Sequence, residues 1–111
     1  MSWEVLYLPE AENDLQKLDG SQRILVLKAI KKVRNNPLPQ SEGGYGKPLG
    51  NKGGRNLTNL LKIKLKASGI RIVYSIIRQA EQMIIIVIGI REDEEVYNIA
   101  ESRNNNECQF N

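Results

Sequence analysis

The stretch LLKIKLKASGIRIVY, residues 60–74, constrains the fold more than any other part of the sequence. Apolar and basic residues alternate on both sides of Ser68-Gly69, and a period of two is that of a strand with one buried face. A Ser-Gly pair between two such runs predicts a β-hairpin with a two-residue turn. In that register Lys66 lies opposite Arg71. The chain must therefore contain antiparallel strands with one strongly basic face.

The basic face of this hairpin holds Lys62, Lys64, Lys66 and Arg71. Like charges that face one another destabilise a sheet, so the cluster needs a reason to exist. Residues 43–80 contain eight of the 16 basic residues and none of the 13 acidic ones, which leaves the rest of the chain net negative. A basic middle between acidic ends favours a polyanionic partner, most simply nucleic acid. The alternative is a solvated face or a protected sheet edge.

Helix and strand signals along the 111 residues fit a single domain. The predicted elements are a strand at 2–8, helices at about 9–18 and 21–35, strands at about 60–66, 70–78 and 82–91, and a helix at about 94–103. The order β-α-α-β-β-β-α predicts an α+β fold, in which two N-terminal helices pack on one face of a small, mostly antiparallel sheet. We expect residues 1–103 to form the domain and residues 104–111 to be a flexible tail.

The second helix should begin with Ser21 as its cap and end before Asn36-Pro37, because proline cannot continue a helix. A glycine-rich polar loop is then predicted at 40–56. This loop lacks the glycine spacing of phosphate-binding motifs, so we interpret it as a mobile basic loop. Its cations, which are candidate RNA contacts, are Lys47, Lys52 and Arg55.

The cysteine and histidine content limits which disulfides and metal sites the chain can form. The chain has one cysteine, Cys108, and no histidine, which predicts neither a disulfide framework nor a metal site, and no cofactor motif is present. No apolar run reaches the roughly 18–20 residues of a membrane span, and the N-terminal residues lack the pattern of a signal peptide. We therefore expect a cytoplasmic protein without membrane association.

Two segments, LLKIKLKASGIRIVYSI and IGIREDEEVYNIA, resemble the RelE branch of the RelE/ParE toxin superfamily. The opening strand, the helix pair and the Asn-Pro break also resemble this branch. The resemblance covers about residues 3–103. It implies a RelE-like fold and a toxin of a type II toxin–antitoxin system. That toxin would be an mRNA interferase, an endoribonuclease that cuts mRNA in the ribosomal A site. By position in these motifs, the functional residues would be Lys62, Lys64, Arg71, Arg91 and Tyr97, with Lys66 as an accessory phosphate contact.

The resemblance also implies the partners of the chain. These are the ribosome with its mRNA, and a cognate antitoxin that blocks the basic face or displaces the last helix. An acidic antitoxin segment would complement that face. The toxin–antitoxin complex is expected to be a higher-order hetero-oligomer.

A metal-independent cleavage can be written with these residue types. The RNA 2′-hydroxyl attacks the adjacent phosphate, which requires a base, cations for the phosphorane and help for the leaving 5′-oxygen. With no histidine present, we expect Lys64 to be the general base, with Lys62 and Arg71 stabilising the phosphorane. Arg91 would act on the leaving-group side. Tyr97 could assist the base, orient the nucleotide or stack on a base.

Other interpretations of the same residues stay open. Arg71 and Arg91 could pair with Glu92, Glu94 or Glu95, and Tyr97 could be a half-buried packing residue. At the level of function, the alternatives are a ParE-like inhibitor of DNA gyrase and a non-catalytic RNA- or DNA-binding module, such as a repressor subunit.

Overall fold

The computed structural model of the chain describes residues 2–52, 55–90 and 93–107, with side chains described outside 51–58, 93–94 and 104–107. Its helices and strands are β1 (Glu4–Tyr7), α1 (Pro9–Lys17), α2 (Gly20–Val33), β2 (Lys47–Lys52), β3 (Arg55–Leu65), β4 (Ile70–Ile77), β5 (Gln82–Gly89) and α3 (Asp93–Glu107). None of the helices in this part of the chain is long and apolar enough to cross a membrane.

The five strands form one sheet in the order β1-β5-β4-β3-β2. β1 pairs with β5 in parallel, and the other neighbouring strands are antiparallel. The predicted α+β class and mostly antiparallel sheet are therefore confirmed. The predicted element order lacked one strand, since the observed order is β-α-α-β-β-β-β-α.

The missing strand lies in the segment that the sequence predicted to be a mobile loop. That prediction is wrong, because residues 47–52 form β2 and β3 begins at Arg55 rather than near residue 60. Pro48 and Gly50 made the segment look unlike a strand. Both are accommodated because β2 is an edge strand with a register shift between them, where a proline and a positive φ of 61° at Gly50 disturb little pairing.

Both faces of the sheet are covered by helices. On one face, α1 and α2 pack against a core that includes Val26, Ile30, Ile72 and Ile85. On the other face, α3 covers a second cluster, whose members are Leu49, Leu60, Val73, Ile86, Val87, Val96, Tyr97 and Ala100. The two N-terminal helices thus share one face as predicted, while α3 lies on the opposite one.

The cap of α2 lies two residues earlier than the sequence suggested. Asp19, not Ser21, is the cap: its Oδ1 accepts a hydrogen bond from the Gln22 backbone N–H at 2.8 Å and one from the Ser21 hydroxyl at 2.7 Å. Gln22 returns a bond to the Asp19 backbone, which completes a capping box. At the other end of the chain, α3 extends to Glu107, past the predicted end near Arg103. The flexible tail stays a prediction, and residues 108–111 lie outside the described ones.

A mostly buried ion pair joins the two helical layers to the sheet. Asp14 of α1 accepts hydrogen bonds from Arg103 of α3 at 2.6 Å and from the Ile88 backbone N–H at 3.1 Å. The Arg103 guanidinium also donates to the Ile86 carbonyl at 2.9 Å. The two side chains are only 14% and 18% exposed, so each charge depends on the other for the solvation it has lost.

Replacing Asp14 by alanine should lower the free energy of unfolding by about 3 kcal/mol, because it leaves the Arg103 guanidinium partly buried without its counter-ion. Urea denaturation measures the change. Glu12→Ala is the matched control, since it removes an exposed carboxylate from the same helix and should cost only a few tenths of a kcal/mol. Equal losses in the two variants would contradict the prediction.

The Asp19 cap should make part of the stability depend on acid pH. The Gln22 backbone N–H, followed by the Ser21 hydroxyl, lowers the pKa of Asp19. A carboxyl whose pKa falls on folding contributes stability above its unfolded pKa, about 3.9, and loses that contribution as the pH falls through its folded pKa. Asp19→Asn keeps an oxygen acceptor at the cap but cannot ionise. In thermal unfolding, its deficit at pH 7 should shrink below about pH 4; a deficit that stays constant down to pH 2 would contradict this.

Candidate nucleic-acid interface

Four cations share one face of the sheet where β2, β3 and β4 run side by side. Lys47 is the register partner of Lys62, and Lys64 is the register partner of Arg71. Register partners lie on the same face, and so do residues two apart on one strand. Lys47, Lys62, Lys64 and Arg71 therefore form one group, here called the cationic face. It lies on the side of the sheet that α3 partly covers, since the buried Val73 opposite Lys62 belongs to the α3 cluster.

The predicted hairpin register is wrong by two residues. Leu65 pairs with Ile70, so that Lys64 rather than Lys66 lies opposite Arg71. The turn is longer than two residues because the Leu65 carbonyl accepts the Gly69 N–H at 2.8 Å, with Gly69 at a φ of 74°. Lys66 consequently leaves the strand and lies exposed in the turn.

The remaining predicted contacts are distributed unevenly. Lys52 and Arg55 pair with each other at the far end of the β2–β3 hairpin, and their side chains are outside the described ones. Seven residues separate Arg55 from Lys62, which in a straight strand is roughly 23 Å. The hairpin thus brings Lys47 to the cationic face but not these two. Arg91 lies outside the described residues.

Tyr97 reaches the cationic face from α3. The Lys62 ammonium donates a hydrogen bond to the Tyr97 hydroxyl oxygen at 2.6 Å, and its nitrogen lies 5.3 Å from the centre of the Tyr97 ring. Nothing in the spacing of these residues could have indicated the bond, since 35 positions separate them. The structure therefore brings together four of the five predicted functional residues: Lys62, Lys64, Arg71 and Tyr97.

Exposure differs along the cationic face. Lys47 and Lys64 are exposed, whereas Lys62 and Arg71 are partly buried. The Arg71 guanidinium donates to the Gly69 carbonyl at 3.3 Å, which holds it towards the turn. Two register pairs of like charge lie side by side here, an arrangement that suits an anionic partner.

A groove of about 590 Å³ lies between β3 and the end of β4 and is lined by residues such as Leu60, Ile76 and Ile77. No member of the cationic face lines it. An open row of cations suits a long polyanion better than a small ligand enclosed on all sides.

Tyr74 belongs to the core on the opposite face of the sheet, which α1 and α2 cover. Its side chain is fully buried, and its hydroxyl donates to the Pro37 carbonyl at 2.8 Å. Burial raises the pKa of Tyr74 far above its usual value, so that it stays neutral and structural. Gly46 lies against this hydroxyl, and a Cβ at that position would come within 2.4 Å of it.

Solved structures of similar fold include two of Escherichia coli proteins. A double arginine-to-alanine mutant of the toxin RelE in the free state superposes with a TM-score of 0.71 and 28% identity, over 93% of this chain and 98% of that one. The intact E. coli RelBE toxin–antitoxin complex contains a chain with a TM-score of 0.64 and 25% identity, over 82% of this chain and 99% of that one.

The sequence itself also has a close relative. No family model matches the chain. A RelE-like toxin protein of Escherichia coli is 32% identical to it over 104 residues, which is 93% of this chain and 98% of the relative. Identity at this level over nearly the whole of both chains, together with the shared fold, establishes common descent. The chain therefore belongs to the RelE-like toxin family.

Proposed function

We propose that this protein is the toxin of a type II toxin–antitoxin system and that it cleaves mRNA in the ribosomal A site. Membership of the RelE-like toxin family supports the first part. The observation that carries the second is the cationic face, where an exposed Lys64 lies opposite Arg71 and two residues from a Lys62 held by Tyr97. A catalyst for RNA cleavage needs such cations where charge develops on phosphorus.

The proposed reaction begins at the ribose 2′-hydroxyl. Lys64 acts as the general base and takes the proton of this hydroxyl as the hydroxyl oxygen forms a bond to the adjacent phosphorus. Lys62, two residues from Lys64 on β3, and Arg71, opposite Lys64 on β4, stabilise the charge of the phosphorane. The bond from phosphorus to the 5′-oxygen then breaks, the leaving 5′-oxygen takes a proton from water, and Arg91 lies on the leaving-group side. The products are a 2′,3′-cyclic phosphate and a 5′-hydroxyl.

The layout of the cationic face agrees with this division of roles. Lys64 is the more exposed of the two central lysines, which lets it approach the sugar, and Lys62 is partly buried and fixed, which suits a stationary charge. Lys47, exposed and in register with Lys62, extends the positive surface towards the sheet edge as a phosphate contact. We propose three outer RNA contacts on the β2–β3 and β3–β4 hairpins, which are Lys66, Lys52 and Arg55.

We propose an acidic antitoxin as the protein partner. A chain of similar fold was solved within the E. coli RelBE toxin–antitoxin complex, which supports an antitoxin as the partner of this protein. An acidic segment would satisfy the like-charge pairs of the cationic face in the absence of RNA. A ribosomal target places the protein in the cytoplasm, and we expect its complex with antitoxin to be a higher-order hetero-oligomer.

Lys64→Ala should slow cleavage at least 100-fold, the usual contribution of a general base. The assay is primer extension on mRNA in reconstituted translation complexes with an empty A site, with and without ribosomes. Lys28→Ala is the matched control, because Lys28 is an exposed lysine on α2, across the sheet from the cationic face. Near-normal cleavage by Lys64→Ala would remove this residue from the mechanism.

Absence of cleavage by the wild-type protein in every complex would contradict the proposed function itself. A gyrase supercoiling assay would then test the ParE-like alternative, in which the fold acts by binding a protein. RNA binding that survives without cleavage would favour a non-catalytic module.

Lys47→Ala should weaken binding without slowing the chemical step. A lysine that contacts a phosphate contributes to affinity through counterion release, so its loss lowers both the affinity and the salt dependence of binding. We expect the concentration of ribosome complex at half-maximal rate to rise several-fold, with the maximal rate within about twofold of the wild type. A lower maximal rate at unchanged half-saturation would instead assign Lys47 to the chemistry.

A further inference from the structure

The groove between β3 and β4 forms where these two strands part. β3 pairs with β4 as far as Leu60 and Ser75, whereas β4 continues to Ile77 in its pairing with β5. β3 also contains a bulge here, since it advances four residues along the ladder while β2 advances two. The groove, of about 590 Å³, lies at this divergence. It is therefore a product of strand pairing beside a bulge, a feature that recurs next to functional sites.

Asn59 lies in the bulge with a backbone conformation that glycine adopts most easily. Its φ is 72°, in the left-handed region, where a residue with a Cβ costs free energy even though asparagine tolerates it better than most. Glycine would hold the same backbone at no such cost. The chain instead keeps an exposed amide in the lining of the groove. This choice favours a role for the amide itself.

The lining combines apolar walls with two amides. The walls are formed by Pro39, Pro48, Leu60, Leu61, Ile76 and Ile77. Gln79 adds a second exposed amide, and within the described residues the side chains of Asn59 and Gln79 make no hydrogen bond. Arg78 at the rim is already bound to Glu42, at 2.6 and 2.8 Å. An uncharged ligand with apolar faces and a hydrogen-bonding edge suits such a lining, and an unpaired nucleobase has both.

The groove adjoins the cationic face. Leu60 lies two residues from Lys62 on the same face of β3, which is roughly 7 Å along a strand. Pro48 and Leu61 also line the groove and form the register pair next to that of Lys47 and Lys62. Cations followed by an apolar groove with free amides match the phosphates and bases that alternate along a single RNA strand. A phosphate held at Lys62 thus leaves the base of a neighbouring nucleotide within reach of the groove.

We propose that this groove binds an unpaired nucleobase of the mRNA close to the scissile phosphate and that Asn59 and Gln79 bind the edge of that base. The proposal rests on the proposed function and adds to it a determinant of sequence preference. An amide side chain carries a donor and an acceptor side by side, and adenine presents the complementary pair at N7 and the 6-amino group. Adenine is therefore the expected base.

Asn59→Gly tests the proposal, because it removes the amide from a position whose backbone suits glycine. Cleavage rates are measured in reconstituted translation complexes whose mRNA carries each of the bases, or an abasic ribose, at every position of the empty A-site codon and its two flanking nucleotides. At one position the wild type should cut the adenine-containing mRNA about tenfold faster than the abasic one. Asn59→Gly and Gln79→Ala should each lose most of this difference, and the comparison with wild type separates the contribution of the toxin from that of the ribosome.

Glu81→Gly is the matched control for the backbone. Glu81 is an exposed residue with a positive φ of 52°, and it does not line the groove. This variant should keep the full preference for adenine.

Ile77→Trp tests the groove without touching the amides, because a larger side chain at this exposed wall fills it. It should also remove the difference between adenine and the abasic ribose, while cleavage persists, since Ile77 is not part of the cationic face. Thermal unfolding confirms that each variant is folded at the assay temperature.

The outcomes separate this proposal from the function on which it rests. A wild-type protein without base preference at any position, or a preference that Asn59→Gly, Gln79→Ala and Ile77→Trp all retain, overturns the proposal and leaves the proposed function intact. A retained preference together with weaker antitoxin binding by these variants overturns it as well and assigns the groove to a protein segment. A wild-type protein that cuts no mRNA in any complex overturns both.

Discussion

The ion pair between Asp14 and Arg103 holds α3 in place on the sheet, and so fixes the positions of the α3 side chains that face it. It links α1 on one face to α3 on the other, and both partners also bond to the backbone of β5. With Arg103 fixed, α3 can neither rotate about its axis nor slide along it without losing these bonds. Tyr97 is consequently presented to Lys62 at a defined point of the cationic face. A contact remote from the RNA thus determines the geometry of the proposed catalytic cation.

The like charges of the cationic face lower the stability of the sheet locally, and favourable packing elsewhere in the fold must offset this. Two register pairs of like charge, Lys47 with Lys62 and Lys64 with Arg71, oppose the pairing of β2, β3 and β4. The sheet tolerates them because apolar clusters cover both of its faces, and because β5, the source of much of that apolar surface, is buried almost throughout. Stability is thereby traded for a concentration of positive charge on one face, as is common at functional sites.

The sequence predicted the basic face correctly from a register that was wrong. Moving the partner of Arg71 from Lys66 to Lys64 is a shift of two residues, and side chains alternate with a period of two, so Lys62, Lys64 and Arg71 stay on one face while Lys66 moves into the turn. β2 was missed for a different reason, because Pro48 and Gly50 resemble loop residues unless the strand is known to lie at an edge. The contacts of Tyr97 with Lys62 and of Asp14 with Arg103 join residues 35 and 89 positions apart. No local pattern encodes such pairs, since they depend on how the layers stack.

The parallel pairing of β1 with β5 has a consequence for how the protein is made. β1 cannot find its partner until residues 82–85 have been synthesised, and β5 lies between β1 and β4 in the sheet. Domains fold as units during synthesis, so the hairpin with its lysines leaves the ribosome before the sheet that supports it can close. Lys62 also emerges 35 residues ahead of Tyr97. A nascent chain therefore carries the cations of the face before α3 has been made and can dock against them.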